Sequence, residues 1–452
     1  MLDIEEIEKK YNFENLVYKD IKIWGYLRGV YGPYSLFKHR GIKEKTIFLK
    51  IKDKFNYFID AFTGIYNYFK DYEYIIFSNL DSLKLVNHEY HDRMAHSTME
   101  YFGFEKCLYI ATNNKKLPKY KQRIKYNYAS SYFLLLLSKF FYTFHIKNKI
   151  KLEALDIVNK EFKIKIDYSN HIYKFLSLYY IHKVFFKIKS PKVVFVTGFS
   201  ARAIVKAAND LGIPTVEFQH GVISDNYVYN SPIKDDYSFQ AKYLLVYGNN
   251  DKKLFNSYNY IQDKNNIFAI GNYYIDSIQS STINLPIDRD YKYKVIVSLQ
   301  SPIAKDMLNF IFSVAEELKD ILFILVPRVE SDLKIFEEKE NVKYYPDFNC
   351  YELANNCDIH ISGYSSCVME APALGLTNIF INFKDLSYFY YEKYIKSQSY
   401  NYSVNTKKDF LDLFSSINLQ TKESVLREHN RYFMHSTVER DKFLKILKQE
   451  IH

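Results

Sequence analysis

The sequence predicts an α/β protein with two parallel-sheet domains in tandem. Its 452 residues amount to two or three domains of the usual size of about 100–200 residues. Two stretches alternate short apolar strands with amphipathic helices, which is typical of parallel sheets that helices cover on both faces. A polar segment with a proline, Ser277–Lys294, separates the two stretches and is predicted to be an interdomain linker.

The first alternating stretch begins at Pro191. An apolar strand ends at Gly198, a helix follows and stops at Gly212, and a second strand runs up to Gly221. A third strand, a helix over Asn250–Tyr260 and a fourth strand complete the set, whose strand sequences are PKVVFVTGF, IPTVEFQHG, KYLLVYG and NIFAIGN. Residues 1–280 are expected to form an N-terminal Rossmann-like domain with an extra Tyr/Lys-rich N-terminal region.

The second alternating stretch follows the linker. It contains strands YKVIVSLQS, ILFILVPR, CDIHISG and TNIFINF, a short strand near Val342–Tyr344, and helices predicted over Ala304–Leu318, Cys350–Asn356 and Ser366–Leu374. Residues 281–400 are expected to form a second Rossmann-like domain, and such sheets bind ligands at the carboxyl ends of their strands. Residues 401–452 are mostly helical by pattern and are expected to pack back on the N-terminal domain.

The first 190 residues give weaker signals. Strand-like pieces occur at Thr46–Ile51 and Tyr74–Ser78, and amphipathic helical patterns occur at Asn127–Phe144 and Tyr173–Ile188. No function is predicted for this region from its composition or periodicity.

The chain shows no targeting signal and no predicted membrane span. Its start, MLDIEEIEKKYNFEN, is charged and lacks an apolar signal core. The longest apolar run, Tyr132–Phe141, is interrupted by Lys139 and is far shorter than the roughly 20 residues that cross a bilayer. We expect a cytoplasmic protein that is at most peripheral at the inner membrane.

Charge and cysteine content narrow the class of protein. The formal charge is +10, and the Lys residues that dominate it are spread along the chain, which suits phosphate-bearing substrates or an anionic membrane surface. No Arg-rich cluster or aromatic RNA-binding signature occurs, so no nucleic-acid partner is expected. The four cysteines have no CxxC spacing, which indicates reduced thiols rather than a disulfide framework or a zinc site.

Three segments resemble a known superfamily. The segments Thr197–Gly221, Gly271–Ile278 and Cys357–Gly375 (TGFSARAIVKAANDLGIPTVEFQHG, GNYYIDSI and CDIHISGYSSCVMEAPALG) look like the corresponding stretches of bacterial UDP-N-acetylglucosamine 2-epimerases. They are shared more loosely with the GT-B glycosyltransferases that build capsules, lipopolysaccharide and teichoic acids. The resemblance covers about Pro191–Asp385. It implies a GT-B fold, with two Rossmann-like domains facing a central cleft, and a nucleotide-sugar site.

Within this superfamily the sequence departs from the epimerases. The Gly-Thr-Arg-Pro-Glu turn that helps form their active site does not occur, and their small-residue phosphate loop is changed to GYSS at 363–366. The triplet Gln219–His220–Gly221 resembles bacterial surface-polysaccharide transferases, and SLQS at 298–301 is a weaker match to transferases that use CMP-activated 3-deoxy-ulosonic sugars. The resemblance thus implies transfer of a sugar from a UDP- or CMP-sugar to a glycan or lipid-linked acceptor in surface-glycan assembly.

The turn in SGYSSCVME is the predicted donor-phosphate site. Backbone N–H groups at a helix start, with the hydroxyls of Ser365 and Ser366, can hold phosphate against the positive end of the helix dipole, and Tyr364 lies in the same turn. Glu370 follows one helical turn after Ser366, so both can face the cleft, and the resemblance gives Glu370 the ribose hydroxyls. The alternative is an ordinary helix cap with a solvated Glu370.

Further donor contacts are expected near strand ends. Arg328 follows the strand ILFILVP, where its guanidinium could reach donor phosphate, and a surface salt bridge to Glu330 is the alternative. Ser298 and Gln300 end the first strand of the second set. The resemblance places the nucleobase near Phe348, where an aromatic that only packs a loop is the alternative.

His220 is the first candidate for a catalytic residue. It ends a strand and precedes Gly221, which permits a tight turn, while Gln219 flanks it and Gly198 ends another strand. An imidazole with its ordinary pKa of about 6.5 can act as a general base or donate to a phosphate or a sugar hydroxyl. The alternative is a histidine that is merely a satisfied polar group at a strand end.

A second group of titratable residues occurs in NHEYHDRMAHS, Asn87–Ser97. Its spacing is not a zincin HExxH, and no second ligand cluster is obvious. The segment is interpreted as a loop-to-helix lining of the acceptor side with Glu89 or Asp92 as catalytic base, or alternatively as a charged helix start. Asp288–Asp290 resembles a DxD motif but lies in the linker, and GT-B enzymes in general need no such metal. No metal is expected, and no cofactor beyond the nucleotide-sugar co-substrate.

Three functions stay open at this point. The first is a GT-B glycosyltransferase for capsule, lipopolysaccharide or a related surface glycan. The second is a nucleotide-sugar epimerase or hydrolase of the UDP-N-acetylglucosamine 2-epimerase type, which the missing turn disfavours. The third is a binding or scaffold protein on a degenerate GT-B frame, which the His-Gly and Ser-Ser…Glu motifs disfavour.

Overall fold

The structure is a computed structural model that divides into two compact units. Unit 1 comprises Met1–Val246, Lys252–Ala269 and Thr437–His452, and unit 2 comprises Tyr247–Asp251 and Ile270–Ser436. The residues described are 4–13, 16–39, 58–79, 82–86, 89–112, 124–145, 149–198, 201–221, 223, 229, 237–257, 263–279, 285–287, 289–392, 395, 398–432 and 437–451. The strand predicted at Thr46–Ile51 lies outside them.

The regular elements are numbered in chain order. The strands are β1 (Val17–Tyr18), β2 (Ile21–Lys22), β3 (Tyr74–Ser78), β4 (Leu83–Val86), β5 (Glu89–Asp92), β6 (Cys107–Ala111), β7 (Asn127–Ser130), β8 (Val193–Thr197), β9 (Thr215–Phe218), β10 (Tyr243–Val246), β11 (Ile267–Ala269), β12 (Tyr293–Ser298), β13 (Ile321–Val326), β14 (Val342–Lys343), β15 (Ile359–Ser362), β16 (Thr377–Ile381) and β17 (Asn401–Val404). The helices are α1 (Ile4–Lys10), α2 (Trp24–His39), α3 (His96–Phe102), α4 (Ser131–His145), α5 (Glu153–Glu161), α6 (Tyr168–Lys189), α7 (Arg202–Asn209), α8 (Asn249–Ser257), α9 (Tyr273–Gln279), α10 (Ala304–Ala315), α11 (Cys350–Asn355), α12 (Cys367–Glu370), α13 (Lys407–Ser416), α14 (Lys422–Tyr432) and α15 (Thr437–Glu450).

Unit 1 is built on a seven-stranded parallel sheet. Its strand order is β11-β10-β9-β8-β3-β6-β7, so the chain starts in the middle at β3, runs to one edge and returns to β8. The direction of progress reverses between β3 and β8, which makes this pair of strands the place where a doubly wound sheet opens a crevice for ligands. The first 190 residues, whose pattern predicted one described strand, supply three strands of this sheet.

Local sequence explains the elements around this sheet. The strand predicted at Tyr74–Ser78 is confirmed as β3, and all five of its residues are buried, as expected for a strand with helices on both faces. Helix α6 begins after Asp167, whose carboxylate accepts from the amide of Asn170 at 3.1 Å and so caps the first turn. Helix α15 packs on β11, where Glu439 accepts from the amide of Ala269 at 2.7 Å.

Unit 2 is built on a six-stranded parallel sheet of order β14-β13-β12-β15-β16-β17. The chain again starts in the middle, and the reversal lies between β12 and β15. The predicted strands of this half are confirmed, because each is a short apolar run with buried residues on both faces, as in the sequence ILFILV of β13. The alternation of strands and helices predicted for both halves is therefore correct.

Three local predictions are corrected. The helical pattern from Asn127 begins with a strand, β7, because its four residues pair with β6 before the helix starts at Ser131. The helix predicted over Ser366–Leu374 is broken into α12 and a 3₁₀ turn at Pro372–Leu374, since a proline has no N–H to continue the α-helix. The segment predicted to run from loop to helix contains β5, which forms an antiparallel hairpin with β4.

No helix in the described part of the chain is both long and apolar enough to span a membrane.

Candidate functional site

The reversal point of the unit 2 sheet carries a cluster of polar groups. Ser298 and Ser362 end β12 and β15 and are partners in the parallel register. Just beyond them, buried Gln300 uses its side-chain oxygen as an acceptor for the amide of Tyr364 at 3.3 Å and for the hydroxyl of Ser362 at 3.5 Å. Gln300 thus joins the loops that follow two neighbouring strands at the edge where parallel sheets bind ligands.

The loop after β15 folds on its own serines. The amide of Ser365 donates to the hydroxyl of Ser362 at 2.8 Å, and the amide of Cys367 donates to the hydroxyl of Ser365 at 3.3 Å. Ser365 therefore serves the first turn of α12 as a cap, which was the structural alternative to a phosphate contact. Ser366 is half-buried and lies in the same turn.

Glu370 lies in the interior of unit 2 rather than in solvent. It is 3% exposed, and its carboxylate accepts a hydrogen bond from the Tyr351 hydroxyl at 2.8 Å. The two residues line a cavity of about 10 Å³, no larger than one water needs. The expectation that Glu370 faces an open site is therefore not met in this arrangement, because the short α12 packs its end against α11.

Ser298 also points inward. Its hydroxyl lies 2.9 Å from Nε2 of His360, and Nδ1 of His360 lies 2.9 Å from the side-chain oxygen of Asn378. Asn378 in turn donates to Asn401 at 2.9 Å. Burial lowers the pKa of His360 to about 4, so this ring is neutral at neutral pH. The signal for this network in the sequence is a polar residue on each of three neighbouring strands, His360, Asn378 and Asn401, at positions that pair in register.

The other predicted donor residues at this end of unit 2 are Arg328, Tyr364 and Phe348. Arg328 is exposed, and its positive charge acts on the half-buried ring of Tyr364, whose pKa burial raises to about 12. The ring of Tyr364 stacks on Tyr390 with 5.5 Å between centroids. Phe348 is half-buried and contacts Tyr345 edge to face at 6.4 Å. Tyr364 is thus joined to Gln300 through its amide and lies within the field of Arg328.

The reversal point of the unit 1 sheet carries a chain of three side chains. The Thr197 hydroxyl at the end of β8 donates to Ser78 at the end of β3 at 3.0 Å, and the Ser78 hydroxyl donates to Asp92 at 2.6 Å. Asp92 is fully buried and also accepts from the Tyr109 hydroxyl and from the amide of Met94. Asp92 therefore holds the hairpin β4–β5 on the sheet. Its carboxylate is not exposed, as a catalytic base in this arrangement would need to be.

Gly198 and His220 lie side by side beyond these strand ends. Gly198 has φ +73°, and a Cβ on it would lie 2.9 Å from Cβ of His220, so a larger residue there is excluded on both counts. His220 is exposed. Its neighbour Gln219 is fully buried and donates to the carbonyl of Gly221 at 2.7 Å, which fixes the turn that presents the imidazole.

Glu217 is a buried acid that sequence reasoning missed. It lies inside β9, accepts a hydrogen bond from the Tyr229 hydroxyl, and has a pKa that burial raises to about 7. The signal was an acidic residue in the middle of the apolar strand TVEF. Two residues separate Glu217 from His220 along the same strand end.

The titratable residues of the hairpin do not gather into a ligand set. Glu89 pairs with Lys125 at 2.7 Å. The rings of His91 and His96 stack at 3.7 Å, and His96 Nδ1 lies 2.6 Å from the Tyr126 hydroxyl; burial lowers the pKa of His96 to about 3. His88 and Asp288 lie outside the described residues. Within those residues, no three His, Cys, Asp or Glu side chains are grouped as metal ligands.

The fold has counterparts among solved structures. No family model matches the sequence, and neither does any curated protein sequence. The UDP-GlcNAc 2-epimerase from Neisseria meningitidis, solved with UDP-GlcNAc, is similar over 83% of this chain and 98% of its own, with a TM-score of 0.51 and 12% identity.

Two further structures are similar at lower scores. The UDP-GlcNAc 2-epimerase from Methanocaldococcus jannaschii has a TM-score of 0.49 and 15% identity over 83% of this chain and 99% of its own. MurG from Acinetobacter baumannii has a TM-score of 0.46 and 12% identity over 83% and 99%. At such identities a similarity shows the fold alone. Together with the two doubly wound sheets, the similarity to the Neisseria structure gives the conclusion that the chain has a fold of the GT-B type, made of two Rossmann-like units.

Proposed function

We propose that this protein is a glycosyltransferase that takes a nucleotide-activated sugar as donor in unit 2. The observation that carries the proposal is the link made by Gln300 between the loops after β12 and β15. It gathers predicted donor residues, Gln300, Tyr364 and Ser365, at the place where sheets of this topology bind ligands. The UDP-GlcNAc 2-epimerase from Neisseria meningitidis, whose fold is similar, was solved with UDP-GlcNAc, which supports the choice of ligand class.

Donor phosphate is proposed to bind without a metal. The exposed guanidinium of Arg328 supplies a permanent positive charge beside Tyr364, and a guanidinium can bind phosphate through two parallel N–H bonds. Ser366 is half-buried in the same loop as Tyr364, and its hydroxyl can donate a second hydrogen bond to the phosphate. No cofactor enters the proposal, since the nucleotide-sugar is itself the co-substrate.

Acceptor binding is proposed for unit 1, where the hydrogen bonds from Thr197 to Ser78 and from Ser78 to Asp92 run in one direction. Asp92 accepts from two backbone amides and from two hydroxyls, so the single proton of Ser78 is directed at Asp92. The Ser78 oxygen must then accept the proton of Thr197. The lone pairs of half-buried Thr197 are left to accept from a ligand hydroxyl, and nearby His220 is the proposed general base.

The acceptor is proposed to be a glycan or a lipid-linked saccharide of capsule, lipopolysaccharide or related surface-glycan assembly. A cytoplasmic location with peripheral contact to an anionic inner membrane belongs to the same proposal. It is supported by the formal charge of +10 and by the family resemblance of the motifs around His220 and Glu370.

A nucleotide-sugar epimerase or hydrolase is the second candidate. The observation in its favour is the fold similarity to the Neisseria 2-epimerase. The two candidates differ in their products. An epimerase returns an isomeric nucleotide-sugar and a hydrolase releases nucleotide rapidly without any acceptor, whereas a transferase without acceptor returns its donor unchanged or releases nucleotide slowly.

The test uses purified full-length protein and a panel of UDP-, GDP-, CMP- and CDP-linked sugars. Thermal shift identifies the donor, and chromatography of the mixture identifies the product. The proposal expects stabilisation by one nucleotide class, no isomeric sugar, and nucleotide release that rises with lipid-linked or glycan acceptors. Accumulation of an isomeric nucleotide-sugar would establish the second candidate, and the absence of any stabilisation would contradict both.

A further inference from the structure

Exposed apolar side chains of unit 1 are concentrated on three adjoining segments. Of the sixteen large apolar residues that are exposed in the described part of the chain, ten lie on residues 58–69, on α4 and at the end of α6. We call these three segments the apolar face. Protein monomers rarely expose contiguous apolar patches of more than a few hundred Å², and larger patches mark interaction sites.

The segment 58–69 is held firmly while its aromatic rings point outward. Phe69 is 76% exposed and Tyr66 is 60% exposed. Between them, Asn67 donates to the carbonyl of Tyr128 at 2.8 Å and the Tyr68 hydroxyl donates to the carbonyl of Ser130 at 2.8 Å. These bonds attach the segment to β7, so the exposure of its rings is a feature of a fixed backbone.

Helix α4 continues the face. Leu137, Phe140 and Phe141 are exposed and follow the three- and four-residue spacing that places side chains on one side of a helix. Phe133 at the start of the helix contacts the Tyr68 ring, with 5.3 Å between centroids, which joins α4 to the segment 58–69.

The end of α6 is the third part of the face. Val184 is 49% exposed and Ile188 is 71% exposed, again four residues apart on one helix. Phe185 between them contacts the Tyr68 ring at 5.6 Å. The Lys189 ammonium donates to the carbonyl of Lys70 at 2.8 Å, so α6 and the segment 58–69 adjoin directly.

The charges among these apolar side chains are mainly positive. Lys70 and Lys187 are exposed, and the Lys70 ammonium lies 5.1 Å from the Tyr66 ring. The neighbouring Asp71 pairs with Lys189 at 3.5 Å. Lysine stems can lie along an apolar surface while the ammonium stays at headgroup level, and clustered lysines attract anionic lipid.

We propose that the apolar face docks on the surface of an anionic lipid bilayer, with its aromatic and aliphatic side chains at the boundary between headgroups and acyl chains. A second copy of the chain is a poorer occupant, because a two-fold interface would bring the same lysines of both copies together. This inference assigns the apolar face as the surface of the membrane contact in the proposed function, and it rests on that function. It uses no residue of the donor site, so vesicle binding and nucleotide binding can fail separately.

The test is sedimentation of the full-length protein with vesicles of phosphatidylglycerol and phosphatidylcholine in equal parts, and with pure phosphatidylcholine. The double variant Phe69→Ser/Ile188→Ser removes two well-exposed apolar groups, and Val329→Ser/Ile335→Ser removes two exposed apolar groups of unit 2 as a matched control. Lys187→Glu tests the charge, with Lys334→Glu as its control. Thermal unfolding and nucleotide binding of each variant verify the fold.

We expect the parent to bind the anionic vesicles. The partition coefficient of the apolar double variant should be lower by about tenfold or more, and Lys187→Glu should also weaken binding. Both control variants should bind like the parent. The proposal is overturned if the parent does not bind anionic vesicles at low salt, or if the double variant binds as the parent does. A parent that sediments as a dimer and a double variant that sediments as a monomer would also overturn it, in favour of a second copy.

Discussion

The Tyr351 hydroxyl donates a hydrogen bond of 2.8 Å to the carboxylate of Glu370, and both residues are buried in unit 2. The bond ties α11 to the short helix α12, next to the loop that carries the proposed donor site. Glu370 therefore has a structural partner in the position for which the family resemblance implies a ribose contact. A ribose contact requires the Tyr351 hydroxyl to give up this acceptor.

Replacement of Tyr351 separates these two roles. Tyr351→Phe leaves a buried carboxylate with one donor fewer, so the free energy of unfolding should fall by about 1–3 kcal/mol. If Glu370 binds ribose, the same variant should bind the donor at least as tightly as the parent, while Glu370→Ala should lose donor-dependent stabilisation. Urea denaturation and nucleotide titration measure both effects. An unchanged urea midpoint in Tyr351→Phe would show that the bond contributes nothing, and an unchanged affinity in Glu370→Ala would exclude the ribose role.

Buried histidines should make the protein less stable in mild acid. Burial lowers the pKa values of His182 and His360 to about 4, below the unfolded value of about 6.5. Between these values the unfolded chain binds more protons than the native state, so stability is unaffected by these groups above about pH 6.5 and falls as the pH drops towards 4. Each such group should lower the free energy of unfolding by up to about 1.4 kcal/mol per pH unit.

Urea denaturation at several pH values between neutral and mildly acidic measures this slope. His360→Gln should reduce it, because one group that protonates only on unfolding is removed. His220→Gln is the matched control, because it replaces an exposed histidine instead of a buried one. Identical slopes for His360→Gln and the parent would contradict the assignment of His360 as a neutral buried group.

Replacement of His220 tests the proposed general base. A group that acts mainly in the transition state lowers kcat when it is removed and leaves ground-state donor binding almost unchanged. His220→Ala should therefore lose on the order of 10²-fold in kcat, with little change in nucleotide affinity. Normal turnover would make His220 a structural residue, and a loss of donor affinity alone would make it a phosphate ligand.

Removal of divalent metal should leave activity unchanged. The proposal meets the donor's phosphate charge with Arg328 and with the hydroxyls of the loop after β15. Full activity after dialysis against EDTA, measured as nucleotide release, is the expected outcome. Strict dependence on added Mg²⁺ or Mn²⁺ would contradict it and would direct attention to the aspartates at 288–290.

The sequence predicted the sheet strands of the second half well because of their environment. A strand buried on both faces, such as ILFILV in β13, is a continuous apolar run that few other structures use. In the first 190 residues the signal is weaker. The strand β7, with the sequence NYAS, has only four residues and passes directly into α4 without a turn residue, so its pattern merged with that of the helix.

The candidate site was predictable only in part. Polar residues at strand ends, such as Gln300 and His220, could be found because parallel topology brings strand ends together. The burial of Glu370 and of Asp92 could not be found, since each depends on hydroxyl partners that are distant in the sequence, Tyr351 for the first, Ser78 and Tyr109 for the second. Side-chain direction at a strand end is set by such partners rather than by local spacing.

Hydrogen exchange measured by mass spectrometry, with and without the nucleotide that gives the largest thermal shift, tests whether unit 2 binds the donor. The donor site proposed in unit 2 consists of the loops after β12 and β15, so residues 298–303 and 362–370 should exchange more slowly when nucleotide is bound. Gln300→Leu should weaken this protection, because it removes the acceptor that joins the two loops. Protection confined to unit 1, or no change in these two segments with any nucleotide of the panel, would contradict a donor site in unit 2.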